Sequence, residues 1–131
     1  MTRISTLLAL LLVAGLAACG GDSPDSVKKD TVATMNELTD VLKEIKAKGD
    51  VAKHEDEITD LIQQLQDLRK RGEELEKEMS ADDKIKMAAE MGKEIGEAFQ
   101  VYRKEIMRIG TNPELRSEFE SVSKKLEAMA K

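Results

Sequence analysis

The sequence predicts an all-α protein: an antiparallel up-down bundle of four helices, the last one short, following a cleaved signal peptide. Three observations carry that expectation. Apolar residues recur at spacings of three and four through nearly the whole chain after residue 30. No run alternates with period two, and no Asn-Gly pair marks a hairpin. Stop-and-start signals fall at Gly49-Asp50, Ser80 to Asp83, and Gly110 to Pro113, cutting the periodic pattern into four pieces.

The first helix is expected over residues 25–48. Ser23 or Ser26 suits its N-cap and Pro24 its first turn. Val32, Met35, Leu38, Leu42 and Ile45 form its apolar stripe, widened by Val41. Gly49 reads as its C-terminal cap and Asp50 as the next N-cap. The second helix carries Val51, His54, Ile58, Leu61, Leu65, Leu68, Gly72, Leu75 and Met79 in unbroken 3-4 alternation. That period of 3.5 is the seam of close helix pairing. Its phase is lost at residues 80–83, where Ser80 and Asp83 stand in a capping-box arrangement.

The third helix shows a second strict seam through Ile85, Ala88, Gly92, Ile95, Phe99, Tyr102, Ile106 and Ile109. Gly110 reads as its terminator, Asn112 as the following N-cap, and Pro113 as the first residue of a fourth helix with Leu115, Phe119, Val122, Leu126 and Met129 inward. The second and third helices, near 29 residues each, would be about 43 Å long. Short connections make chain neighbours antiparallel. About twenty Leu, Ile, Val and Met side chains at these seams support one core and leave none to line a large cavity.

The chain opens differently. Met1 to Ser5 has Arg3 as its only charge, Thr6 to Gly15 is an apolar run, and Leu16-Ala17-Ala18-Cys19 follows with small residues before the cysteine. This is the layout of an export signal. Its strongly apolar part is roughly ten residues, against about twenty needed to span a bilayer. Leu16-Ala17-Ala18-Cys19 resembles the lipobox of bacterial lipoprotein precursors. The resemblance implies signal peptidase recognition of Leu16, Ala17 and Ala18, cleavage after Ala18, and a diacylglycerol on the Cys19 sulfur with acylation of the new amine. It also implies an extracytoplasmic, membrane-anchored protein, on the outer membrane where the cell has one, since Gly20 replaces the Asp of inner-membrane retention.

The expected organisation is therefore residues 1–18 as signal peptide, 19–24 as lipidated Cys and tether, and 25–131 as bundle. Removing residues 1–18 leaves 20 Lys and Arg against 26 Asp and Glu, a net charge of −6. Such a chain is repelled by nucleic acid, so no nucleic-acid partner is expected. Cys19 is the only cysteine, so a lipidated chain has no disulfide and holds together by packing. The mature part is similar to small charge-rich helical lipoproteins of unassigned function, in Asp30 to Glu37 and in Asn112-Pro113-Glu114-Leu115. A comparison with the murein lipoprotein rests on Lys131, placed like the C-terminal Lys that protein joins to peptidoglycan. That protein is one continuous helix, and the breaks at Gly49, Ser80 and Gly110 set this chain apart.

Candidate chemistry in the body is sparse. His54, with Asp50 and Glu57 one turn either side, lacks the Glu-x-x-His partner of di-metal bundles because Val51 stands three residues before it. It reads as a half-exposed seam residue, and no metal or cofactor is expected. Gly92 and Gly96, beside Ala88 and Ala89, read as a close-packing face toward another helix of the bundle, with Gly72 opposite, or as a weak spot that lets the third helix bend. Arg69-Lys70-Arg71 is followed at once by Glu73, Glu74 and Glu76, which reads as a solvated face with intrahelical pairs. The six methionines after Met1 read as core fillers. The function expected is a lipid-anchored, non-enzymatic module, structural or partner-binding, associating with another protein or with itself through its helix seams. The alternatives are a ligand-binding lipoprotein and a peptidoglycan-linked one through Lys131.

Overall fold

The computed structural model describes the backbone of residues 22–129 and the side chains of residues 22–124. Every regular element among them is a helix: α1 Pro24–Glu44, α2 Asp50–Lys53, α3 Glu55–Glu78, α4 Ala81–Thr111 and α5 Pro113–Met129. The chain is an all-α helical bundle, as the periodicity predicts.

Local chemistry sets most helix starts. Ser23 caps α1: its hydroxyl accepts from the Ser26 amide at 3.1 Å, and the Ser26 hydroxyl accepts from the Ser23 amide at 3.0 Å. Ser80 accepts from the Asp83 amide at 3.2 Å, and Asn112 Oδ1 accepts from the Glu114 amide at 3.0 Å ahead of Pro113. Each satisfies amides that the first helical turn leaves without partners.

Several boundaries differ from the sequence expectation. The first helix ends at Glu44, four residues before Lys48, because Ile45 turns into extended backbone (φ −76°, ψ 100°) and drops a fully buried side chain into the core. Arg108 of α4 secures that end by donating to the Leu42 and Ile45 carbonyls at 2.7 and 2.8 Å. Gly49 lies in the left-handed region at φ 89°, before α2 rather than on the end of α1, and its amide donates to both Glu118 carboxylate oxygens of α5. Asp50 is the first residue of α2, not its N-cap; its carboxylate turns back to accept from the Lys46 and Ala47 amides. The second predicted helix is divided at His54 (φ −104°, ψ 5°). Its seam keeps phase across the break, with Val51 and Ile58 both buried. Finally, Gly110 does not terminate α4, which continues to Thr111; Pro113, which lacks the amide a helix would need, ends it.

Helix α1 is wedged between α3 and α4, and the latter two hardly approach each other. The orientation follows from named contacts. Val27 and Asp30 of α1 lie beside Gly72 and Arg71, whereas Glu44 lies beside His54, so α1 and α3 are antiparallel. Lys28 pairs with Glu94 and the Leu42 carbonyl with Arg108, so α1 and α4 run in the same direction. Helix α5 closes the end where α2 and the first turns of α3 sit. The core there joins Leu38, Leu42, Ile45, Val51, Ile58, Ile109, Leu115 and Val122, flanked by Tyr102, Ile106 and Phe119.

The wedge changes which face of α4 is buried. The expected seam is buried only at its C-terminal end, where Ile109 is fully buried and Tyr102 and Ile106 pack on the core, while Ile85, Ala88, Gly92 and Phe99 face solvent, Ile85 being 69 % and Phe99 49 % exposed. The buried line runs from Ile109 through Ala98 to Met87, spaced by eleven. Eleven residues make three turns of a straight helix, while a seven-residue seam drifts by about 20° per heptad unless the helix supercoils round a partner. With α1 between them, α3 and α4 do not wind round each other, and three heptads from Ile109 the seam has turned away from the core.

Candidate functional site

The predicted lipidation residue Cys19, the recognition residues Leu16, Ala17 and Ala18, and Lys131 lie outside the described residues. The structure does define where the segment behind Cys19 joins the body. Asp22 accepts from Arg71 Nε at 3.0 Å and also meets its Nη2, while Asp30 of α1 lies 3.7 Å from the same guanidinium. Arg71 holds the Asp22 carboxyl below the usual carboxylate range through these hydrogen bonds. With Ser23 capping α1 beside it, the chain enters the bundle at the α1–α3 edge. Asp22 stands three positions after Cys19, a span of at most about 10 Å.

The other predicted candidates resolve as follows. His54 is 22 % exposed, with Nδ1 3.2 Å from Glu57 and Nε2 3.5 Å from Glu44. Among the described residues no group of three or more His, Cys, Asp or Glu side chains converges on a metal position. The basic run splits: Arg69 pairs with Glu73 and Lys70 with Asp67 along α3, whereas Arg71 reaches across to α1. That inter-helix role differs from the intrahelical pairing expected. The glycine face also differs. A Cβ on Gly72 would meet Val27 at 3.9 Å, while on Gly92 or Gly96 it would meet nothing within 4 Å. Gly92 and Gly96 therefore face no other helix among the described residues.

A groove of about 440 Å³ opens between α3 and α4, floored by Val27 and Thr31 and walled by Leu65, Leu68, Met91 and Ile95. It lies beyond the reach of the α5 residues that fill the same space at the other end. Glu73, Glu76 and Arg69 line its rim, and it is open to solvent along its length. No described helix is long and apolar enough to cross a membrane. No protein-family model, curated protein or solved structure matches the chain.

Sequence reasoning missed the two features that give this surface its form. One is Arg108, which pairs with Glu105 along α4 at 2.7 Å and closes the end of α1 by donating to the Leu42 and Ile45 carbonyls. The other is the outward face of α4. Its signal was legible in the two apolar registers that share α4, one with period 3.5 and one repeating every eleven residues, of which a single helix can bury only one against α1.

Proposed function

We propose that this chain is a lipid-anchored, non-enzymatic helical module held at the extracytoplasmic membrane surface through acylated Cys19, where it acts as a structural or partner-binding component. The observation that carries the reading is Leu16-Ala17-Ala18-Cys19 at the end of a short apolar run, three residues from a folded edge. A diacylglycerol supplies an apolar anchor, and no described helix is long and apolar enough to cross a membrane. One acyl chain gives marginal, reversible anchoring, and two or three give stable attachment. Arg71 and the Ser23 cap support the reading from the other side, because they hold Asp22 against the body and keep the bundle near the leaflet.

Mass spectrometry of the native protein tests it. The expected species starts at Cys19 and carries acyl mass, and Cys19→Ser abolishes both the acyl mass and membrane retention. An uncut chain, or a free thiol at Cys19, refutes the reading.

The α3–α4 groove favours a second reading, that of a ligand-binding lipoprotein, because its walls are apolar and its volume lies within the range of small-molecule sites. Its open length and charged rim rank it second. Saturable binding of a fluorescent fatty acid, lost on Leu68→Glu, would promote it.

A further inference from the structure

The outward face of α4 is organised about its own midpoint. Successive residues step by 100° around a helix, so Ala81, Ile85, Ala88, Gly92, Gly96, Phe99 and Arg103 fall within about 40° of one line. Ile85 and Phe99 stand out into solvent at its two ends, and among the described residues nothing lies within 4 Å of a Cβ at Gly92 or Gly96. Reading outward from Gly92 gives small residues on both sides (Ala88 and Gly96), then large apolar ones (Ile85 and Phe99), then charges of opposite sign. Those charges are Asp82 before the line and Arg103-Lys104 after it. Among the described residues Asp82, Arg103 and Lys104 make no ion pair within the chain.

From this we infer that α4 pairs with α4 of a second copy, antiparallel, about a two-fold axis at Gly92. An isologous interface needs a surface complementary to itself after a half-turn, and this face meets the condition at each level. Gly92 meets Gly92, which lets the two backbones approach closely, as small residues do wherever helices cross at short range. Ala88 faces Gly96 of the second copy, and Ile85 packs on its Phe99. Asp82 comes beside Arg103 and Lys104 of the other chain, twice over, and antiparallel alignment also opposes the helix dipoles favourably. A parallel pair would instead stack Ile85 on Ile85 and bring Arg103 beside Arg103. The charge order selects the antiparallel arrangement. This pairing does not depend on the lipid, and its test uses a chain that cannot be acylated.

The test is disulfide trapping in the full-length Cys19→Ser chain, whose only thiol is then the one introduced. Gly92→Cys is expected to form a covalent dimer under mild oxidation. Ile85→Cys and Phe99→Cys are each expected to stay monomeric alone and to cross-link when mixed. Glu90→Cys, on the far side of α4, is expected not to react. In sedimentation experiments Asp82→Lys should weaken association by roughly tenfold, and Asp82→Lys with Arg103→Glu and Lys104→Glu should restore it. Gly92→Ala should weaken the dimer while stabilising the monomer, a pair of opposite effects that a merely structural glycine would not give. Self-linking by Ile85→Cys, equal reaction of Glu90→Cys and Gly92→Cys, or a monomer throughout the micromolar range would each overturn the inference.

Discussion

Gly92→Ala is informative because the structure predicts a gain in stability where a buried glycine would give a loss. Gly92 sits eleven residues into α4, with ordinary helical backbone, Gly49 being the glycine with positive φ among the described residues. A Cβ added at Gly92 touches nothing within 4 Å, so no packing is disturbed. What remains is helix propensity: glycine in a helix interior is less favourable than alanine by about 0.8–1.0 kcal/mol, through the backbone freedom it retains when unfolded. For a domain of about 100 residues that corresponds to a rise in Tm of roughly 4–5 °C. The measurement is thermal and urea unfolding of the Cys19→Ser chain at low concentration, where the monomer dominates. Gly49→Ala serves as the opposite control, because its φ of 89° strains any residue with a Cβ and should cost about 1–2 kcal/mol. A lower Tm for Gly92→Ala in the monomer would show that something in the chain already fills that space, and the account of the α4 face would fail with it.

Other expectations follow from the corner where α1, α4 and α5 meet. Arg108→Ala removes donors to the Leu42 and Ile45 carbonyls and leaves Leu42 with only the Ile45 amide at the end of α1; a loss of about 1–3 kcal/mol in urea unfolding is expected, and a change below about 0.3 kcal/mol would show those bonds to be dispensable. Asp50 carries the acid sensitivity of the same corner. Lys53, then the Ala47 and Lys46 amides, hold its carboxyl far below the usual carboxylate range. Its contribution is complete above the unfolded value of about 4 and falls away as pH drops toward the depressed folded value. Asp50→Asn should therefore flatten the stability profile below about pH 4 and leave its shape near neutrality unchanged. An unaltered acid limb would mean that Asp50 keeps no such bonds in solution.

The sequence by itself determined what depends on near neighbours. Ser23, Ser80 and Asn112 could be read as caps because each bonds an amide two or three residues away. The inward residues of α3 could be read because Val51 to Met79 holds one phase throughout. The Leu16-to-Cys19 tetrad likewise speaks through adjacent residues alone, which is why the proposed anchoring is the most specific functional statement the chain supports. The tertiary structure decided what depends on partners far along the chain. Helix α1 stops at Glu44 because Arg108, more than sixty residues on, takes its last carbonyls, and Gly49 is fixed by Glu118. Above all, α4 carries two apolar registers, and spacing alone cannot choose between them. Insertion of α1 keeps α3 and α4 from winding together, so the straight eleven-residue line through Met87, Ala98 and Ile109 is buried and the N-terminal part of the seven-residue seam, from Ile85 to Gly92, is left facing out.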